Sequence, residues 1–144
     1  MPTPTESADL ILKLYDMRRE PVLREARAWF AAEFNPTTAD EVAQVVASEK
    51  SAWFRMVIGY WDMAASFVVF EAIDQKIFNA SSGELLGVFA KIEPFLAELR
   101  EQWNVPDFLR HFEEVARQFP NAEARFRQRR EQLQEAAAAS QDRG

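Results

Sequence analysis

The sequence of 144 residues contains no cysteine, one histidine and four glycines. The missing thiols exclude disulfide bonds, thiolate metal sites and cysteine nucleophiles. The glycines, at positions 59, 83, 87 and 144, are too few and too scattered for a glycine-rich phosphate-binding loop. A Gly-x-Ser-x-Gly nucleophile elbow is also missing. Because no catalytic constellation can be assembled from these residues, we favour a protein that is not an enzyme and that uses no cofactor.

Basic residues are fewer than acidic ones, 17 against 23, which gives a formal net charge of −6. Phosphate binding needs a concentrated positive field, so nucleic acid is not the expected partner. The one basic cluster, residues 125–130, should spread around its helix among glutamates, and DNA binding through it is a weaker third alternative. Residues 1–20 carry no basic segment ahead of an apolar stretch and so do not read as a secretory signal. We expect a cytoplasmic protein.

Long hydrophobic runs are lacking even in the most apolar segment, residues 52–73. Its longest uncharged run is MAASFVVF, eight residues, whereas a membrane-spanning helix needs about 20 apolar residues. Asp62 would lie near the middle of the bilayer, where a charge costs a few kcal/mol or more. The segment therefore predicts no membrane span but the central helix of a soluble bundle, apolar on nearly all sides because neighbours surround it.

Apolar residues recur at helical spacing in segments that Pro, Gly and capping residues separate. Strong helix formers dominate the composition, and alternating strand-like patterns are few. We expect one domain over residues 1–144, an all-α bundle of about six to eight helices around the central aromatic-rich helix. From about residue 136 the chain is polar, and this tail is expected to fray.

Particular residues mark the boundaries between helices. TADE at 38–41 predicts a capping box, and SEKS at 48–51 predicts a break or bend, since an unbroken helix to Phe78 would be too long. NASSG at 79–83 predicts a turn in which Ser81 and Glu84 form a second capping box. The buried faces of the first two helices are expected to carry Leu10, Ile11, Leu14, Met17, Val22, Ala26, Trp29 and Phe30.

Asp62 is the main candidate for a ligand site, because an acid on a surrounded helix must reach solvent, pair with a cation or be protonated. A structural hydrogen bond or salt bridge is the favoured interpretation. Tyr60, Trp61, Glu71 and His111 are the other candidates for a pocket or for buried polar groups. Glu71 and Asp74 lie three residues apart, but two carboxylates are too few for a cation site. His111 stands alone, so we expect a histidine near the edge of the core and no metal site.

The last helix offers a candidate interface in Phe126, Arg130 and Leu133, which could pair with a second copy. Twelve phenylalanines and four tryptophans are more rings than one small bundle is expected to bury, and exposed rings usually mark partner surfaces. The leading hypothesis is therefore a non-enzymatic helical interaction module that forms a homodimer. The alternative is a small-molecule-binding protein or enzyme with an aromatic pocket between helices near Asp62.

An ordered set of segments covers the chain from about Leu14 to Val115. Tyr15 and Pro21 are followed by REARAWF, YWDMAASFVVFEAI, ELLGVFAKIEPFLAELREQW and HFEEVA. This order resembles a bacterial family of all-helical proteins of unknown function. The resemblance implies a helical fold, and it implies no activity, cofactor or catalytic residue.

Overall fold

The computed structural model describes residues 1–143, and these residues contain no β-strand. The predicted all-helical architecture is confirmed. The helices are α1 (Pro4–Arg18), α2 (Pro21–Ala32), α3 (Ala39–Val46), α4 (Ser51–Val69), α5 (Gln75–Ser81), α6 (Gly83–Ile92), α7 (Leu96–Gln102), α8 (Arg110–Arg117) and α9 (Ala122–Arg143), with a 3-10 turn at Glu93–Phe95 between α6 and α7. None of these helices is long and apolar enough to cross a membrane.

The capping residues act partly as the sequence predicts. The Thr38 hydroxyl accepts a hydrogen bond from the Glu41 amide (3.1 Å), which is half of the predicted box. The Glu41 carboxylate accepts instead from the amide and hydroxyl of Thr37, both at 2.9 Å, so it does not reach back to Thr38. The second predicted box is wrong. Ser81 is the last residue of α5, and its hydroxyl donates to carbonyls of its own helix, so it does not cap α6.

The two predicted interruptions have different outcomes. The break at 48–51 is confirmed, because the Ser48 hydroxyl accepts from the Lys50 amide (3.1 Å) and closes a turn between α3 and α4. The turn at 79–83 is wrong in extent, since α5 continues through residue 81 and only Ser82 lies outside a helix. The Gln75 side chain donates to Asn79 one turn later (2.8 Å) and so supports that continuation.

The core is built on α4, which packs against α8, α2 and α3. Aromatic side chains connect these helices in two clusters, in which most neighbouring ring centroids lie about 5 to 6 Å apart. One cluster contains Trp29, Phe30, Phe34, Trp53 and Phe54. The other contains Phe89, Phe112 and Phe126 and joins α6, α8 and α9. Tilted and edge-to-face contacts of this kind add to the stabilisation from area burial.

The expectation of more rings than one bundle can bury is wrong. Nine of the twelve phenylalanines are buried, and Phe70 alone among them is an exposed large hydrophobic residue. The rings fit because they pack against one another as well as against aliphatic side chains. Two residues expected in the core, Met17 and Val22, are instead 47% and 46% exposed, since both flank the surface turn between α1 and α2.

Ion pairs connect the later helices at the edge of the core. Glu113 on α8 accepts from Arg100 at 3.0 Å and from Arg117 at 2.9 Å. Burial alone would raise the pKa of Glu113, but the hydrogen bonds from these two arginines outweigh it and hold that pKa below its ordinary value. Glu93, whose side chain is 7% exposed, pairs with Arg117 and with Arg130 of α9.

Candidate functional site

One face of α4 is open, so the expectation that neighbours surround this helix is wrong. Its main partners are α8, α2 and α3, and its buried residues, from Phe54 to Val68, lie on one side. The opposite side presents residues that recur at alternating intervals of four and three. We call this face, together with the residue that follows the helix, the α4 seam: Ala52, Met56, Gly59, Met63, Ser66 and Phe70. That spacing is typical of a helix face that receives another helix.

A shallow groove of about 320 Å³ lies along the middle of the seam. The groove is lined by Met17 and Leu23, at the α1–α2 corner, and by five residues of α4: Arg55, Met56, Gly59, Tyr60 and Met63. Methionine side chains are flexible and polarisable, and they are common on surfaces that accept partners of varied shape. The exposure of Met17 therefore contributes apolar area to this groove.

Charges of opposite sign flank the seam on one side. Arg55 is exposed, and Asp62, seven residues later, lies two helical turns along the same flank. Asp62 Oδ1 accepts a hydrogen bond from the amide of Phe112 at 3.0 Å. That amide lies in the first turn of α8, whose own N-cap residue, Leu109, supplies no side-chain acceptor. Asp62 therefore caps a neighbouring helix.

Tyr60 and Trp61 contact α1, whereas Asp62 contacts α8, so the three neighbouring side chains do not form one polar site. The Tyr60 hydroxyl donates to the Leu14 carbonyl at 2.6 Å, and burial raises the pKa of Tyr60 to about 12. Trp61 is 1% exposed, and the guanidinium of Arg18 lies 5.2 Å from its ring centroid. Its indole Nε1 is buried without an acceptor. Both side chains act as packing residues between α4 and α1.

His111 and Glu71 are both close to Phe70, but they do not form a common site. Glu71 follows Phe70 in the chain, and His111 contacts the Phe70 ring. The half-buried His111 ring meets the Phe70 ring edge to face at 5.3 Å, and its Nε2 is buried without a hydrogen-bond partner. Glu71 is exposed in the turn after α4, with a left-handed φ of 62°. Over residues 1–143 no group of three or more His, Asp or Glu side chains is placed to hold a metal ion.

The candidate interface on α9 is occupied within the chain itself. Phe126 is 0% exposed and packs against Phe89 of α6, at 5.4 Å between ring centroids. Arg130 pairs with Glu93, and Leu133 is half-buried against the core. Phe126 is therefore a core residue, which corrects its assignment to a surface that a second copy could contact. Phe126, Arg130 and Leu133 contact the rest of the bundle and so hold α9 against it.

The sequence reasoning missed the seam, although a signal for it exists. The small residues Ala52, Gly59 and Ser66 alternate with Met56 and Met63 on one face. The opposite, buried face of α4 carries larger residues, among them Phe54, Ile58 and Trp61, although Ala64 and Ala65 also lie there.

The sequence matches a known protein family over most of its length. Residues 4–119 match the model of a family described as a domain of unknown function, DUF4760. Because this match covers most of the chain, the protein belongs to that family. No curated protein and no solved structure matches the chain significantly.

Proposed function

We propose that this member of the DUF4760 family is a non-enzymatic helical interaction module that forms a homodimer through the α4 seam. The observation that carries the proposal is the open face itself. The central helix of the bundle leaves exposed or half-buried a row of apolar and small side chains at the spacing that accepts another helix. A contiguous apolar surface of this kind commonly marks a contact site.

A second copy fits the seam because the seam is self-complementary. Two α4 helices packed antiparallel about a twofold axis near Gly59 would bring Met56 of one copy against Met63 of the other. In this arrangement, the flank of one α4 that carries Arg55 and Asp62 adjoins the same flank of the other α4. Arg55 of one copy therefore faces Asp62 of the other. An isologous interface requires this kind of self-pairing, and opposite charges there favour the register.

Gly59 gives the proposal a direct test. Gly59 is exposed, and a Cβ added there meets no atom within 4 Å, so a side chain can leave the helix at this position. Replacing a glycine inside a helix also improves helix propensity by up to about 1 kcal/mol. In the dimer, Gly59→Arg would place two cations beside the twofold axis and hold the helices apart. Gly83→Arg is the matched control, because a Cβ at Gly83 also meets nothing within 4 Å and Gly83 lies on α6, outside the groove.

The measurement is molar mass by native mass spectrometry and by light scattering across a protein dilution series. We expect a dimer for the natural chain and for Gly83→Arg, and a monomer with an unchanged helical circular dichroism spectrum for Gly59→Arg. Arg55→Glu should weaken the dimer, because it places like charges opposite each other. A natural chain that is monomeric throughout the series, or a Gly59→Arg variant that remains dimeric, refutes the proposal.

A ligand pocket polarised by Asp62 has less support, because one oxygen of that carboxylate is already engaged by the Phe112 amide.

A further inference from the structure

Three basic side chains without a carboxylate partner converge between α6 and α9. Lys91 belongs to α6, and Arg125 and Arg129 lie one turn apart on α9. Within residues 1–143, none of the three is in an ion pair. Arg130, their neighbour, pairs with Glu93. Unneutralised cations at one place are unexpected in a protein whose net charge is −6.

These cations border a cleft with an apolar half and a polar half. The apolar half, of about 260 Å³, lies between α2, α4 and α6 and is walled by Phe30, Ala31, Val57 and Val88. The polar half, of about 200 Å³, lies between α6 and α9 and is walled by Gln128, Arg129 and Gln132. Gly87, Lys91 and Arg125 border both halves. The one carboxylate in the apolar half, Glu84, is neutralised by two hydrogen bonds from Arg27, at 2.9 and 2.7 Å.

Gly87 keeps the junction of the two halves open. It lies in the middle of α6 and its φ is not positive, so the backbone does not require glycine there. A glycine inside a helix costs about 1 kcal/mol relative to alanine. A Cβ at this position would lie 3.3 Å from a terminal nitrogen of Arg125. The missing side chain thus gives the Arg125 guanidinium its position over α6.

Hydrogen-bond donors remain free around this junction. Lys91 Nζ donates to the Phe30 and Ala31 carbonyls, at 2.8 and 2.9 Å, and an ammonium group has a third donor. In the described part of the chain, Arg125 makes no side-chain hydrogen bond. Arg129 donates to the Pro36 carbonyl at 3.1 Å, and its Nε is buried without an acceptor. A buried donor of this kind needs an acceptor.

We propose that the cleft is a binding site for a small organic anion, whose carboxylate or phosphate monoester head contacts Arg125 and Lys91 and whose short apolar chain lies against Phe30 and Val57. Guanidinium groups bind both kinds of head through paired N–H donors. The apolar half, of about 260 Å³, has room for a chain of a few carbons. This site lies away from the α4 seam and is independent of dimerisation.

The test is a titration of the isotope-labelled protein followed by amide NMR, with hexanoate, butyl phosphate and neutral hexanol as probes. The glycine amides report by position, because Gly87 lies in the cleft and Gly59 lies in the seam. We expect a saturable shift at Gly87 but not at Gly59 with at least one of the two anions. We also expect hexanol to bind at least about tenfold more weakly, a difference of about 1.4 kcal/mol. The stronger of the two anions identifies the head group.

Matched variants decide whether the site is specific. Arg125→Gln should weaken anion binding about tenfold or more, which again corresponds to about 1.4 kcal/mol. Arg127→Gln removes the same charge from an exposed position of the same helix outside the cleft and should change affinity less than twofold. Arg125 is exposed, so its replacement should leave the fold intact. Equal weakening by both variants, equal binding of hexanol, or no saturable shift at Gly87 with either anion up to about 10 mM overturns the proposal.

Discussion

Replacing Asp62 should destabilise the fold in two measurable steps. Asp62→Ala removes the hydrogen bond to the Phe112 amide (3.0 Å) and the negative charge at the start of α8. Asp62→Asn keeps an oxygen acceptor and removes only the charge. The pair therefore separates the capping hydrogen bond from the electrostatic interaction with the helix terminus.

The magnitudes follow from the position of Asp62 at a helix start that has no cap of its own. Loss of a capping hydrogen bond costs about 1 kcal/mol. A negative charge near a helix N-terminus contributes about 0.3 to 1 kcal/mol, more when it is partly buried, as Asp62 is. We expect a loss of about 1.5 to 2 kcal/mol for Asp62→Ala and about 0.5 to 1 kcal/mol for Asp62→Asn. For a chain of this size, Asp62→Ala should lower Tm by about 5 °C.

The assay is urea and thermal unfolding followed by circular dichroism at one fixed protein concentration, because dimerisation would contribute to apparent stability. Asp16→Asn is the control, since Asp16 is exposed, and it should change stability by less than about 0.5 kcal/mol. Equal stability of Asp62→Ala and the natural chain would contradict the capping role. Loss of a co-purifying ligand from Asp62→Asn at unchanged stability would instead favour the pocket hypothesis.

Three further predictions concern polar groups that connect other helices. Tyr60→Phe removes the 2.6 Å hydrogen bond to Leu14 and should cost about 1 kcal/mol at neutral pH. Because the pKa of Tyr60 is raised to about 12 in the folded chain from about 10 when unfolded, its contribution is fully present below pH 10 and is lost as pH rises towards 12. Alkaline unfolding curves of Tyr60→Phe should therefore be flatter over that range. The lowered pKa of Glu113 contributes stability above its ordinary value near 4.5 that is lost as pH falls below it, so Glu113→Gln should flatten the acid unfolding curve. Ser7→Ala leaves the Asp74 amide, now 2.9 Å from the buried Ser7 hydroxyl, without its acceptor, and urea unfolding should show a loss of about 1 to 3 kcal/mol.

Local patterns were sufficient to predict the helices and several of their ends. Thr38 caps α3, the segment 48–51 separates α3 from α4, and the aromatic segment forms α4. These features depend on side chains and backbone groups within a few residues of one another. The same reasoning failed at Ser81, because a serine can cap the next helix or bond back to its own, and both options satisfy the local pattern.

Faces of helices were predicted less well, because burial depends on which helix packs against which. Met17 has the spacing of a core residue yet lies at the open groove. Phe126 looked available to a second copy yet is fully buried against Phe89. The spacing of apolar residues defines a face of a helix but does not specify what covers it. Nothing in the spacing of α9 indicated that Arg125 and Arg129 would meet Lys91 of α6.

The amino-acid sequence by itself determined that the chain is helical and where its central helix lies, because composition and periodicity act locally. The tertiary structure decided that Asp62 caps α8, that one face of α4 stays open and that three cations share a cleft. Asp62 and Phe112 are 50 residues apart in the chain, and Lys91 and Arg125 are 34 residues apart. Such contacts are set by the packing of the whole bundle, which no local pattern encodes.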